Sequence, residues 1–456
     1  LVVRSFAYRN QTASSEESSM THLRVDSVTA AGRTVRATIS CSRDLRRFFP
    51  NRTFEVEYGV SVEDVPERVL VAPVLAQACP AVWAKGGDVH VDTIDAAFRS
   101  ALYRVQATLR EMYPRIIQGG DVIAEQVEQP SVPRRFDGTG MLFTGGVDSV
   151  ASYVRHREAD PTLITIRGWL LRPDQDERWE RVKQHVAEFA STEGCESTTI
   201  ETDLHAFPDH GLLNAHYKHF TDGAWYSGVG HGLGLLGLCA PEAYARGIGT
   251  LHIAGTHWKG FHIEGQSWRG KAIPWGSHPS IDNEIQWTET RCHHDGFELT
   301  RQDKLQVIAE FVHEHRSDLQ IRACTRDELG GNCSRCEKCM RTITGLLLAG
   351  LDPNDHGFSV TGETLEHCIE QFEAGNWVLD AHNILHWRVL AAHSPPDHDV
   401  PIEGSSSYFE WVEQASFDDL LSRSQQPLPD RAVRAVARRV PYAAIGPLRT
   451  VYNRLR

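Results

Sequence analysis

Between residues 20 and 80 the chain alternates apolar and polar positions in short runs. The stretches "HLRVDSVTA", "TVRATISCS", "TFEVEYGVS" and "RVLVAPVLA" carry this pattern, which predicts strands. In "DTIDAAFRSALYRVQATLREMYP" the apolar residues fall on one helical face, with Asp92 or Thr93 as the expected cap. Residues 20–125 therefore read as a small N-terminal α+β domain, followed by the Pro/Gly-bearing linker "VEQPSVPRRFDGTG".

From residue 140 the pattern changes. "GMLFT", "TLITIRGWLL", "STTIETDL" and "GTLHIAGTHW" are apolar strands, with the helices "DSVASYVRHR", "DERWERVKQHVAEFAST" and "GLGLLGLCAPEAYARG" between them. Buried strands alternating with helices predict an α/β fold, a doubly wound parallel sheet over residues 136–352 with both faces covered. Ligands of such sheets bind at the carboxyl ends of the strands. Thr300 and Asp303 in "ELTRQDKLQVIAEFVHEH" stand at capping-box spacing and start another helix, and "RTITGLLLAG" is a short apolar one. Residues 353–456, which include the Pro/Ser linker "AAHSPPDHDVPIEGSSS", read as a loosely helical C-terminal region. The sequence shows no internal repeat.

With 456 residues, 41% of them hydrophobic, the chain can furnish cores for two or three domains. A net charge of −13, from 47 basic and 60 acidic residues, argues against a surface given over to nucleic acid and leaves room for a local basic patch. The longest apolar tract, "GLGLLGLCA", falls short of the roughly 18 residues that a membrane helix needs. The opening "LVVRSFAYRNQTASSEESSM" lacks the apolar core of a signal peptide. Residues 1–19 read as a disordered polar leader, with Met20 as the expected start. Ten cysteines are present, and four of them crowd between residues 324 and 339. Without an export signal, such crowding favours a metal over disulfides and a cytoplasmic location.

Two stretches carry chemistry. In "GMLFTGGVDSVASYV" two glycines, a carboxylate and a hydroxyl stand between a strand and a helix. Gly145 and Gly146 let backbone amides approach a ligand closely. Asp148 and Ser149 sit at the helix start, where unpaired N–H groups and the macrodipole favour an anion. Ser149 adds a hydroxyl donor, and Asp148 either holds Mg²⁺ or caps the helix. The loop reads as a phosphate or pyrophosphate cradle, or as a tight capped turn; the Gly-Lys-Ser/Thr ending of a Walker loop is missing. Farther on, Cys324, Cys333, Cys336 and Cys339 can close a tetrahedron of thiolates around a structural Zn²⁺. An iron–sulfur cluster is the competing occupant.

The run "FTGGVDS" resembles the Ser-Gly-Gly-x-Asp-Ser loop of the PP-loop ATP pyrophosphatases. That superfamily includes the NAD, GMP and asparagine synthetases, 7-cyano-7-deazaguanine synthase and several tRNA-thiolating enzymes. The resemblance implies a HUP-like fold in which Thr144, Gly145, Gly146, Val147, Asp148 and Ser149 bind the β,γ-pyrophosphate of ATP. Attack then falls on the α-phosphorus and leaves AMP on the substrate. Thr144 replaces the usual first Ser and keeps its hydroxyl. The cysteine spacing is similar to the zinc site of the 7-cyano-7-deazaguanine synthases, and the resemblance covers roughly residues 138–350. It implies adenylation of a small-molecule carboxylate, followed by displacement of AMP by ammonia or an amine to give an amide or a nitrile. RNA base thiolation through an adenylated carbonyl oxygen, and a non-catalytic nucleotide-binding module, are the alternatives.

Between the two anchors, "THWKGFHIEGQSWRGKAIPWGSHPSIDNEIQW" stands where the family has its substrate loop and offers Lys259, Lys271, His278, Asp282 and Glu284. Its Trp rings suit a planar substrate, and Asp282 and Glu284 are either catalytic carboxylates or plain loop residues. Arg301 in "LTRQD" stands where the family has a Lys, and a cation there can reach the phosphates. His216 and His219 lack a third metal ligand. "WYSGVGHGLG" replaces the family's Arg-Asn approach to its next helix, which leaves the substrate open. "RAVRAVARRVPYAAIGPLRTVYNRLR" holds seven Arg and no acid. It reads as a solvated helix end, or as a contact with RNA, an acidic partner or an anionic membrane surface. No glutaminase nucleophile stands out, so nitrogen would come as free ammonia or from a partner. Homo-oligomerisation is left open.

Overall fold

The computed structural model describes residues 20–129, 135–169, 171, 175–204, 206–217, 224–261, 274–315, 318–324, 331–393 and 402–424. The expected leader, residues 394–401 of the Pro/Ser linker, Lys271, His219 and the Arg-rich tail lie outside the described residues.

Eleven strands form one sheet. They are β1 His22–Ala31, β2 Thr34–Cys41, β3 Thr53–Glu57, β4 Asp88–Asp95, β5 Val122–Glu128, β6 Gly138–Leu142, β7 Thr162–Arg167, β8 Ser197–Thr202, β9 Ile248–Ala254, β10 Gln286–Trp287 and β11 Thr290–Asp295. Their order is β10-β11-β9-β6-β7-β8-β3-β2-β1-β4-β5. The five strands from β8 to β11 pair in parallel. Numbered along the chain from β6, they run 3-2-1-4-5 across the sheet. The winding therefore reverses between β6 and β9, and a crevice opens there at the carboxyl ends of the strands.

The N-terminal strands continue the same sheet: β3 pairs antiparallel with β8 through Val56–Thr202 and Glu57–Glu201. Successive residues of the central strands enter two separate cores. Met141 and Leu163 pack with residues of the helices Val147–His156, Asp176–Glu193 and Arg301–His315. Leu142 and Ile164 pack with those of Ala72–Trp83 and His231–Leu238. Burial on both faces is why adjacent residues of β6 and β7 are both apolar at these positions. Among the described residues, no helix is long and apolar enough to cross a membrane.

Three local expectations change. "RVLVAPVLA" is helical, within Glu67–Leu70 and Ala72–Trp83. Every residue of Ala72–Trp83 is buried, so the polar face that would reveal a helical period is missing. Asp92 and Thr93 belong to β4, and the cap of the next helix is Asp95, whose carboxylate accepts from the amides of Ala97 and Phe98. Strands β5, β10 and β11 were not expected. At Arg301–His315 the capping box is formed in both directions between Thr300 and Asp303.

Candidate functional site

The loop after β6 is shaped by its glycines. Gly145 has φ +73°, and a Cβ there would lie 2.2 Å from His185 Nε2, so backbone and packing both require glycine. Gly146 precedes the helix Val147–His156 with extended backbone, and a Cβ there would meet no atom closer than 3.7 Å. That open side is where a ligand can approach the loop. Val147 is buried in the core below and anchors the turn. Ser149 Oγ donates to the Gly146 carbonyl at 3.0 Å and accepts from Thr144 N at 3.5 Å.

Asp148 faces two cations from one turn of the helix Arg301–His315. Arg301 Nη1 lies 3.3 Å from its Oδ2 and Lys304 Nζ 3.2 Å from its Oδ1. Both cations are buried, and Lys304 also donates to the Gly255 carbonyl at the end of β9. Burial alone would raise the Asp148 carboxyl; Lys304 and Arg301 outweigh it and hold the group below the ordinary carboxylate value.

A cleft of about 290 Å³ opens beside this loop, with Leu142, Ile164, Ile166 and Ile253 along its apolar floor. Its walls carry Arg178, Arg301, Arg322, Lys338 and Arg341, and Asp148 is the only carboxylate among the described residues that line it. The crowding is visible in Lys338: burial, then repulsion from Arg301 and Arg341, brings its ammonium down to about 8.

The cysteine cluster adjoins the cleft. The sulfurs of Cys324, Cys333, Cys336 and Cys339 all lie within 4.8 Å of one another, a donor set that suits a closed tetrahedral Zn²⁺ site. A hydrogen bond with Cys339 holds the Cys336 thiol below its ordinary value, toward the thiolate that a metal needs. Cys324 itself lines the cleft. Cys336 is the N-terminal cap residue of the helix Glu337–Leu348, whose first turns carry Lys338 and Arg341.

The C-terminal helices complete the walls. Glu337 accepts from Trp387 Nε1 at 2.9 Å and from Asn383 Nδ2 at 3.3 Å, which docks the helix Ala381–Ala391. This places His386 in the cleft, its ring 5.2 Å from that of Trp258 and its Nδ1 buried without a hydrogen-bond partner among the described residues. Burial, then the nearby Arg341 and Arg301, holds His386 well below the ordinary histidine value, so it is neutral.

The expected site residues thus separate. Thr144, Gly146, Val147, Asp148, Ser149 and Arg301 line the cleft, with Gly145 bent behind them. Asp282 does not line it: fully buried, its Oδ2 sits 2.7 Å from both Ser277 Oγ and His294 Nδ1. Glu284 lies farther out, in a half-exposed pair with Arg104 at 2.5 Å. His278 caps the short helix Pro279–Asp282 through Ser280 N, and His216 packs edge-on to Phe48. Lys259 is exposed.

Sequence reasoning missed Arg178, Lys304, Arg322, Lys338, Arg341 and His386. Two signals were available, since Lys304 follows Arg301 and Arg341 follows Lys338 at a spacing of three, on one helix face each. Arg178, Arg322 and His386 carry no local signal. Compared with protein-family models, curated proteins and solved structures, the chain finds no match. The fold and site define an α/β protein with a mostly parallel eleven-stranded sheet, a cationic crevice at its winding reversal and a four-cysteine cluster able to hold a metal.

Proposed function

We propose that the crevice binds the polyphosphate of ATP, and that the chain is an ATP pyrophosphatase-type ligase of HUP-like, PP-loop architecture that adenylates a small-molecule carboxylate. One observation carries this reading: Arg301, Lys338 and Arg341 line the cleft beside the glycine loop, and Asp148 is the only carboxylate among the described residues that line it. Burying a cation costs several kcal/mol unless anionic charge stands near it, and Arg301, Lys304 and Arg341 are buried. A polyanion seated on the loop amides removes that cost and gains charge-assisted hydrogen bonds. The phosphates would take over Arg301 and Lys304, which frees Asp148 to hold Mg²⁺ and bring a divalent charge to the phosphate oxygens.

In the first step a carboxylate oxygen attacks the α-phosphorus. The new O–P bond forms as the bond to the bridging oxygen breaks, and the electron pair leaves on pyrophosphate. Ser149, the loop amides, Arg301 and Lys304 stabilise that leaving charge. In the second step ammonia or an amine attacks the acyl carbon, loses a proton, and AMP departs with the electron pair of the C–O bond. The apolar floor and the neutral His386 wall limit the water that would otherwise hydrolyse the adenylate. The four cysteines would hold Zn²⁺ as a structural site.

The test is product analysis with ATP, Mg²⁺ and a small-molecule cell extract. The expected products are AMP and pyrophosphate, rising with the extract. ADP and phosphate, or no turnover, would refute the reading; AMP released only with total RNA would favour base thiolation.

A further inference from the structure

The cysteine cluster and the glycine loop are joined by one residue. Arg322, two positions before Cys324, donates from its backbone N to the Gly145 carbonyl at 2.7 Å and from its Nε to the Thr144 carbonyl at 3.0 Å. Its segment is held from the other side by Asn332. Oδ1 of that side chain accepts from Ala323 N at 2.8 Å and Cys324 N at 3.0 Å, while Nδ2 donates to the carbonyls of Ile321 and Gly357. Ile321–Cys324 is thus strung between the loop and the cysteines. Across the cluster, Cys336 opens the helix that aims Lys338 and Arg341 at the same cleft.

We infer that the four-cysteine cluster is the latch of the anion cleft: a metal held there fixes Arg322 against the loop and Lys338 and Arg341 along the wall, so that metal occupancy sets the affinity for polyphosphate. The inference rests on the nucleotide reading above. Arg322 is a positioning residue here, because it grips the loop carbonyls and leaves the loop amides turned to the ligand. Four sulfurs within 4.8 Å come from two chain segments, and a metal held by them would tie those segments to one centre. None of the eleven strands includes a residue of the cluster, so the sheet does not depend on it for pairing.

The experiment compares the full chain loaded with zinc and after removal of zinc by a chelator, with Arg322→Met prepared in both states. Each form is titrated with ATP and Mg²⁺ by calorimetry, and its far-UV circular dichroism is recorded. Zinc removal is expected to weaken ATP binding at least tenfold with the dichroism retained, and Cys333→Ser to do the same. Arg322→Met is expected to weaken the zinc-loaded protein by a similar factor and to change the zinc-free protein less than twofold, the non-additivity of two groups acting through one contact. Equal affinity with and without zinc would overturn the latch, as would independent, additive effects. Loss of the dichroism on zinc removal would overturn it too, because the cluster would then hold the fold and not the loop. A zinc-loaded protein that binds no ATP at all would refute the nucleotide reading itself.

Discussion

Along β1 to β4, the exposed side chains of Arg24, Arg33 and Arg36 each meet at least one carboxylate. Arg33 pairs with Glu57 at 2.7 Å, Arg36 with Glu55 at 2.5 Å and Arg24 with Asp92 at 2.5 Å, all with side chains 41–61% exposed. At the carboxyl ends of β6 and β9, Arg301, Lys304 and Arg341 are each under a tenth exposed, and among the described residues their ion-pair partners are Asp148 and Glu337. Exposed pairs contribute roughly 0–1 kcal/mol each and mostly keep the surface wetted. Buried cations in excess of their counter-charges are a standing cost unless a ligand supplies the missing charge. The position of a charge in the sheet therefore says more about function than the number of ion pairs.

Removing the one cleft carboxylate should break this contrast most visibly. Asp148→Asn leaves Lys304 and Arg301 unanswered and should cost the ligand-free protein roughly 3–5 kcal/mol in urea unfolding. Added ATP should recover part of the loss; an unchanged midpoint would mean that the cations are already solvated.

Asp295 supplies the matched control, a buried carboxylate whose partners suffice. It accepts from Ser152 Oγ at 2.6 Å, lies 3.0 Å from His156 Nε2 and faces Arg155 at 3.4 Å. Burial would raise this carboxyl, but the His156 and Ser152 bonds and Arg155 bring it down to about 2. A depressed carboxyl stabilises the fold fully above its unfolded pKa and loses that contribution as pH falls toward its folded value. Wild type should lose about 2 kcal/mol between roughly pH 4 and 2 on this account, and Asp295→Asn should lose it at pH 7 and flatten that acid limb. A parallel acid limb in both proteins would count against it.

Gly146→Ala sharpens the comparison at a single methyl. Its Cβ finds space in the ligand-free fold, so stability should shift by about 0.5 kcal/mol at most, while ATP affinity falls at least tenfold. Normal ATP binding by this variant would move the ligand away from the loop. Smallest of all is Arg36→Ala, expected to change stability by about 0.5 kcal/mol or less and ATP affinity not at all.

How far the sequence was legible follows the same physics. β6, β7 and β9 declared themselves because strands buried on both faces are largely apolar. The helix Ala72–Trp83 was misread for that very reason, since a helix buried all round has no polar stripe to betray its period. β11, "TRCHHD", hid behind its polar residues; Asp295 is buried by hydrogen bonds and not by apolarity. The loop and the cysteines were readable as local spacings. Apart from Arg301, the cations were not, because Arg178, Arg322 and Arg341 meet it only through the fold, and Glu284 showed that a carboxylate near the expected place can belong to the surface.

The chain builds this crevice in a fixed order of time. Asp148 and its glycines are synthesised first, and Arg341 and His386 follow about 190 and 240 residues later. At some 5–20 residues per second, that is an interval on the order of 10–50 seconds. The nascent protein therefore passes through a stage in which the acidic lip of the crevice exists without its far cationic wall. During that interval the lining of the crevice lacks Arg341 and His386, which join it when the last helices dock.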